Sequence, residues 1–191
     1  MIRVALSAGH NPNAKGASNG EGFNEYDEAS KWITELAGLF AATNRIEIIL
    51  VPTGSLTSKI NFINEQARLK LAIEIHFNSC ASTRVKGSET LFCPGSRRGR
   101  TAANIIQRAI ASIMPPNRGT KEGWYRMDRP GVNDYVGDID GDESIDAFLV
   151  RTKCTALILE PEFIQNKSVI EANRDICCDV IRDAIVEYVT N

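Results

Sequence analysis

Short apolar runs rich in β-forming residues alternate along this chain with segments whose apolar residues recur at helical spacing. Strands that alternate with helices build a layered α/β fold around a largely parallel sheet. Residues 2–7 read as the first strand, and residues 46–51, 71–77, 88–92 and 155–159 as later ones. From Glu25 the period changes, and Ala29, Trp32, Ile33, Leu36 and Phe40 share one helical face. Residues 60–69, 102–114 and 169–189 also read as helices, with Pro115-Pro116 closing the third helix. The expectation is one α/β domain over residues 1–191, its mostly parallel mixed sheet flanked by helices. A chain of 191 residues is long enough to bury a real core in one domain.

Composition excludes several classes. The net charge is −2 with both signs spread along the chain, which is no footprint for nucleic acid or an anionic membrane. The basic cluster Arg97, Arg98 and Arg100 reads as a solvated surface at a helix start. No stretch approaches the ~20 apolar residues of a membrane span, so no stable membrane insertion is expected. The five cysteines form no CxxC pair and are odd in number, so they read as reduced, mostly buried small hydrophobes. The run Val4-Ala5-Leu6 is too short for a secretion signal, so synthesis and folding in the cytoplasm are expected. Residues 117–151 are polar and weakly periodic, and a loop of that length is usually functional. The expectation is a mobile wall of the substrate groove. Within it, Asp138 to Ser144 resembles the start of a calcium loop, but the glycine is misplaced for an EF-hand, and a solvated acidic turn is the competing reading.

The chain has only two histidines. His10 follows the first strand and His76 ends the third, which puts both at the carboxyl edge of a parallel sheet, where ligands bind. Zinc takes imidazole readily and keeps three protein ligands at catalytic sites. With no third histidine, a carboxylate is needed, and Glu21, Glu25 and Glu28 are the candidates. Helical spacing favours Glu25, which shares the face of Ala29 and Ile33, whereas Glu28 lies off its centre and Glu21 precedes the helix. One zinc per chain at His10, Glu25 and His76 is therefore expected. Glu160 closes the apolar run 155–159 at the same edge and is the candidate proton carrier. Glu162 is its rival and reads as more exposed. Glu74 lies two residues before His76 and leaves the strand on the same face, as a partner of the site or as a surface group.

The segments His10-Asn-Pro-Asn, Gly22-Phe-Asn-Glu25-Tyr, Ile75-His76-Phe-Asn78-Ser and Leu159-Glu160-Pro-Glu-Phe163-Ile-Gln-Asn166, in that order, resemble the N-acetylmuramoyl-L-alanine amidase family, type 3. Gly87-Ser-Glu-Thr-Leu-Phe92 resembles that family's next strand. The resemblance implies zinc at His10, Glu25 and His76, a catalytic glutamate at Glu160, and hydrolysis of the amide joining N-acetylmuramic acid to L-alanine in bacterial peptidoglycan. The chain departs from the family after His10, where the usual glycine-rich, aspartate-containing continuation is missing. It departs again at Pro52-Thr53-Gly54, at Glu162, and in the acidic stretch 134–146.

Two other functions compete. A zinc peptidase cutting peptidoglycan stem peptides would use the same metal site. A non-catalytic wall-binding domain would not need all four residues. A phosphate-binding loop at residues 8–20 fails because Lys15-Gly16 reverses the order a P-loop requires. A monomeric catalytic domain without a separate wall-binding domain or export signal points to a phage or prophage endolysin that reaches the wall after release.

Overall fold

The computed structural model describes residues 1–41, 45–123 and 146–191. In chain order the elements are β1 (Ile2–Ala8), α1 (Glu25–Leu39), β2 (Ile46–Leu50), α2 (Leu56–Glu65), β3 (Leu69–Ile75) and β4 (Ser88–Phe92), then α3 (Arg97–Ile113), β5 (Asn117–Glu122), α4 (Ala147–Arg151), β6 (Thr155–Glu160) and α5 (Lys167–Thr190). The six strands lie in the order β2-β1-β3-β6-β4-β5. β2, β1, β3 and β6 are mutually parallel, β4 runs against β6, and β5 follows β4. The sheet is thus mostly parallel and mixed, as expected. One of its edges combines the carboxyl ends of β1, β3 and β6 with the amino ends of β4 and β5.

Both faces of the sheet are covered, which explains why its central strands read as continuous apolar runs. Leu6, Ile73 and Leu157 belong to the larger core with Trp32 of α1, Ile106 of α3 and Ile181 of α5. Ala5, Ala72 and Ile158 point the other way, toward Ile60 and Ile63 of α2 and Phe148 of α4. Side chains alternate along a strand, so two steps from Ala5, Ala72 and Ile158 come Ser7, Glu74 and Glu160 on that second face. The helix starts are locally encoded: Asn24, Ser55 and Ser96 each accept a hydrogen bond from a first-turn N–H.

The structure differs from the sequence reading in several places. The span 117–151 is not one loop, because its first six residues form edge strand β5 and its last five form α4. β5 has no fully buried side chain, so it carries no apolar alternation to read. Residues 124–145 of the expected groove wall, including the acidic segment 138–144, lie outside the described residues. α3 starts at Arg97, so the basic cluster forms its first turn. All five cysteines are free; Cys177 and Cys178 are buried, and Cys80, Cys93 and Cys154 are half-buried. Among the described residues no helix is long and apolar enough to cross a membrane.

Two further carboxylates are buried, the second contrary to expectation. Glu28 is fully buried, accepting from Trp32 Nε1 at 3.2 Å and from Lys31 Nζ at 2.8 Å, with Arg174 beside it at 3.4 Å. It ties α1 to α5. Glu162 is also fully buried, not exposed. Its carboxylate accepts from Gly87 N–H at 3.2 Å, Phe163 N–H at 2.7 Å and Asn166 Nδ2 at 3.0 Å. It thereby joins the entry of β4 to the turn after β6. Glu162→Gln sets an amide NH₂ among these donors and is expected to cost about 1–3 kcal/mol, with little effect on metal binding by the folded fraction. Calorimetric unfolding checks this; a Tm equal to the wild type's would mean that the carboxylate is not the clasp.

Candidate active site

Three metal-ligating side chains converge at the carboxyl edge of β1 and β3. One donor atom from each of His10, Glu25 and His76 lies within 4.8 Å of the others. His10 Nε2 is 2.9 Å from Glu25 Oε2, and His76 Nδ1 is 3.4 Å from the same oxygen. A tetrahedral zinc with bonds of about 2.0–2.2 Å sets its ligand atoms roughly 3.3–3.6 Å apart. The His76–Glu25 separation lies in that range and the His10–Glu25 separation is shorter, so the three residue types and their spacing suit such an ion after a small opening of the His10–Glu25 pair. The buried charge fits too. Burial depresses the His76 imidazolium, yet hydrogen bonds to Glu25 and Glu74 and the charges of Glu74 and Glu160 overcome it, raising its pKa to about 10. Burial opposes the charge on Glu25, but its two histidine partners hold its pKa down to about 2. This pocket holds a positive charge strongly.

Each ligand is set by its surroundings. Glu25 is the first residue of α1, and its Oε1 accepts from Ala17 N–H at 2.8 Å, which turns Oε2 toward the histidines. His76 follows β3, and its Nε2 lies 3.2 Å from Glu74 Oε2. A carboxylate at that nitrogen favours a proton on Nε2 and turns Nδ1 toward Glu25. Small residues make room for the rings: a Cβ on Gly9 would fall 2.5 Å from the His76 ring, and one on Gly16 would run into the His10 ring. His10 itself has φ +61°, a left-handed conformation that costs roughly 1–2 kcal/mol for a residue with a Cβ.

The group that holds this conformation is one that the sequence reading did not single out. Lys59 of α2 is only 3% exposed, and its Nζ donates to the carbonyls of Ala8 and His10, the latter at 2.7 Å. The same ammonium meets Glu74 Oε1 at 3.1 Å, where Ser7 Oγ also donates at 2.8 Å. Burial opposes the charge on Glu74, yet its hydrogen bond to His76 and the charges of His76 and Lys59 bring its pKa to about 2. Of the two readings of Glu74, the structure selects the partner of the site. A lysine on an amphipathic helix carries no sequence sign that it will be buried.

Glu160 lies beside His76 on the next strand: His76 N–H donates to Leu159 O at 2.9 Å, which puts the two residues side by side. Its carboxyl is 2% exposed, and Oε2 is buried with no hydrogen-bond partner among the described residues. Burial pushes the Glu160 carboxyl well above the usual carboxylate range, and the negative charges of Glu25 and Glu89 add to this against the pull of His76. It stands outside the group formed by His10, Glu25 and His76. Glu21 is exposed and makes no contact with the group.

Two outcomes test this arrangement. The folded protein should carry one zinc per chain and lose it on His10→Ala or His76→Ala; elemental analysis showing full occupancy in either variant would remove these residues as ligands. Lys59→Met strands Glu74 and frees the His10 backbone, so it should destabilise the fold by about 3–5 kcal/mol and weaken zinc about 10–100-fold. The double variant Lys59→Met/Glu74→Gln should recover stability but not affinity. Wild-type zinc affinity in both would reduce Lys59 to packing.

Comparison with known proteins accords with this geometry. The sequence profile of the N-acetylmuramoyl-L-alanine amidase family matches residues 4–189. A search of curated proteins returns no match. Among solved structures, an N-acetylmuramoyl-L-alanine amidase from Clostridium difficile 630 superposes with a TM-score of 0.81 at 18% identity, covering 100% of this chain and 98% of that one. The catalytic domain of CwlV, an N-acetylmuramoyl-L-alanine amidase from Bacillus (Paenibacillus) polymyxa var. colistinus, gives 0.79 at 18% identity, with 100% and 99% covered. The catalytic domain of the CD27L endolysin, which targets Clostridia difficile, gives 0.71 at 24% identity, with 100% and 98% covered. These superpositions establish the fold, and the profile match over nearly the whole length establishes the family: the chain belongs to the N-acetylmuramoyl-L-alanine amidases.

Proposed function

We propose that this chain is a zinc-dependent amidase that hydrolyses the bond between N-acetylmuramic acid and L-alanine in peptidoglycan, with zinc held by His10, Glu25 and His76. The observation that carries this reading is the buried Oε2 of Glu160, without a hydrogen-bond partner among the described residues, beside the His10, Glu25 and His76 group. Zinc bound there supplies Lewis acidity toward the amide carbonyl and toward an attacking water. Glu160 Oε2 takes the proton of that water as its oxygen bonds to the carbonyl carbon. Glu160 then delivers the proton to the alanine nitrogen as the C–N bond breaks, since an amide nitrogen leaves poorly without one. An apolar-strand setting that raises its proton affinity suits both halves of this cycle. Glu74 keeps His76 in one tautomer throughout, and Lys59 keeps Glu74 charged.

The finer biology belongs to the same proposal. Likeness to the catalytic domain of an endolysin supports a phage or prophage lysis enzyme, made in the cytoplasm and acting on the wall after release as a monomer. A peptidase acting on stem peptides would use the same ligands, and mass analysis of digested peptidoglycan separates the two. Release of intact stem peptides beginning with L-alanine is expected; cleavage within the stem would replace the amidase reading with the peptidase one.

Glu160→Gln keeps the shape of the side chain and removes the proton acceptor. It is expected to retain zinc and fold while losing about 10²–10⁴-fold in kcat. Wall cleavage close to wild type by the zinc-loaded variant would take Glu160 out of the mechanism.

A further inference from the structure

The row that begins at the metal group continues across the sheet. Glu89 of β4 stands opposite Glu160 in the antiparallel pairing. Beyond it, β5 pairs with β4 through Ser88–Asn117 and Thr90–Thr120, with an irregularity between them that sets Arg118 and Gly119 against Glu89. Adjacent strands lie about 4.8 Å apart, so β5 stands roughly 10 Å from the Glu160 backbone. Glu89 is 7% exposed, and its Oε2 accepts from Arg118 Nε at 2.7 Å and from Lys121 Nζ at 2.7 Å.

Two cations share one carboxylate, so one positive charge is left over. Among the described residues neither Arg118 nor Lys121 has another ion partner. The guanidinium also covers the Phe163 ring, 5.1 Å from its centre. Only its Nε bond is taken, so the remaining N–H donors of the fork are available. The side chains are 34% and 42% exposed, so a ligand can reach both. Lysines on an edge strand commonly guard against edge pairing by projecting into water. These two instead fold inward to a buried glutamate on the face that carries Glu160.

We propose that Arg118 and Lys121 form a carboxylate-binding subsite for the peptide stem, two strands from Glu160, with Glu89 as its tether. This deepens the amidase reading and rests on it. The charge decides which half of the substrate lies there: the amidated glycan half is neutral, and free carboxylates belong to the peptide half. An extended chain advances about 3.3–3.6 Å per residue. A stem whose scissile amide sits at Glu160 therefore brings its second or third residue over β5. The geometry orients the whole substrate, with the peptide running over β4 and β5 and the glycan over β1 and the loop that carries His10.

The test uses zinc-loaded protein and two soluble N-acetylmuramoyl tripeptides that differ only in whether the second stem residue bears a free carboxylate or its carboxamide. The wild type is expected to favour the carboxylate form at least 10-fold in kcat/KM. Lys121→Gln, which leaves the Arg118–Glu89 pair in place, should lower that ratio several-fold through KM. Arg118→Gln/Lys121→Gln/Glu89→Gln, which strands no charge, should bring the ratio close to one with zinc content retained. A wild-type ratio near one, or an equal fall on both substrates in the variants, overturns the subsite and leaves the amidase reading in place. No turnover of either substrate by the zinc-loaded wild type overturns the amidase reading and the subsite with it.

Discussion

Burying several carboxylates side by side is expensive, because each loses its hydration and repels the next. Glu25, Glu74 and Glu160 are all at most 5% exposed, and all lie at one edge of one sheet. Much of the nearby architecture serves to offset that cost. Lys59 gives Glu74 a buried counter-charge, Ser7 gives it a hydrogen bond, and Ala17 N–H gives one to Glu25. What remains is a deficit of positive charge between Glu25 and the two histidines, which in the metal-free protein is met by a proton held on His76 up to a pKa of about 10. A divalent cation answers the same deficit with direct bonds. The group of His10, Glu25 and His76 is thus suited to a cation as a consequence of what the sheet edge buries.

The mixed polarity of the sheet extends this. Had β4 and β5 run parallel to β6, their amino ends would lie at the far edge, away from the histidines. Reversing them places Glu89 opposite Glu160 and Arg118 beyond it. The row then runs from the His, Glu, His group through Glu160 to Glu89, whose charge is offset by its two basic partners. Among the described residues, Glu160 is the one carboxylate of the row with a buried oxygen that has no hydrogen-bonding partner, a condition that suits a group proposed to move protons. A permanent donor at Oε2 would stabilise the carboxylate and weaken it as a base.

How much of this could be read in the sequence follows from the range of each interaction. The strands were legible because both faces of the sheet are covered and their residues are continuously apolar. His10, His76 and Glu160 were legible because each directly follows or ends such a run, and Glu25 because it extends a helical period. Glu28 was rightly set aside as a ligand, but its full burial was not legible, since one of its partners, Arg174 of α5, is 146 residues away. The burial of Glu162 was misjudged, in part because one of its partners, Gly87 N–H, is 75 residues away. Lys59 gave no sign at all, since its partners are backbone carbonyls 49 and 51 residues earlier. β5 escaped because an edge strand needs only one hydrogen-bonded neighbour and no apolar face.

The positive φ of His10 connects these levels. An unstrained backbone at that position would aim the side chain elsewhere, and three conditions keep it in the left-handed region: the lysine grip on the carbonyls of Ala8 and His10, the Gly9 N–H bond to Ile75 O at 2.8 Å, and the space left by Gly16. None of them involves a metal. The conformation of His10 is therefore set by contacts of the chain with itself, which offset the conformational cost of ordering it. Such an arrangement orients the imidazole in advance of any ligand. It also ties metal affinity to the integrity of α2, a helix that contributes no ligand itself and touches the site only through one buried ammonium.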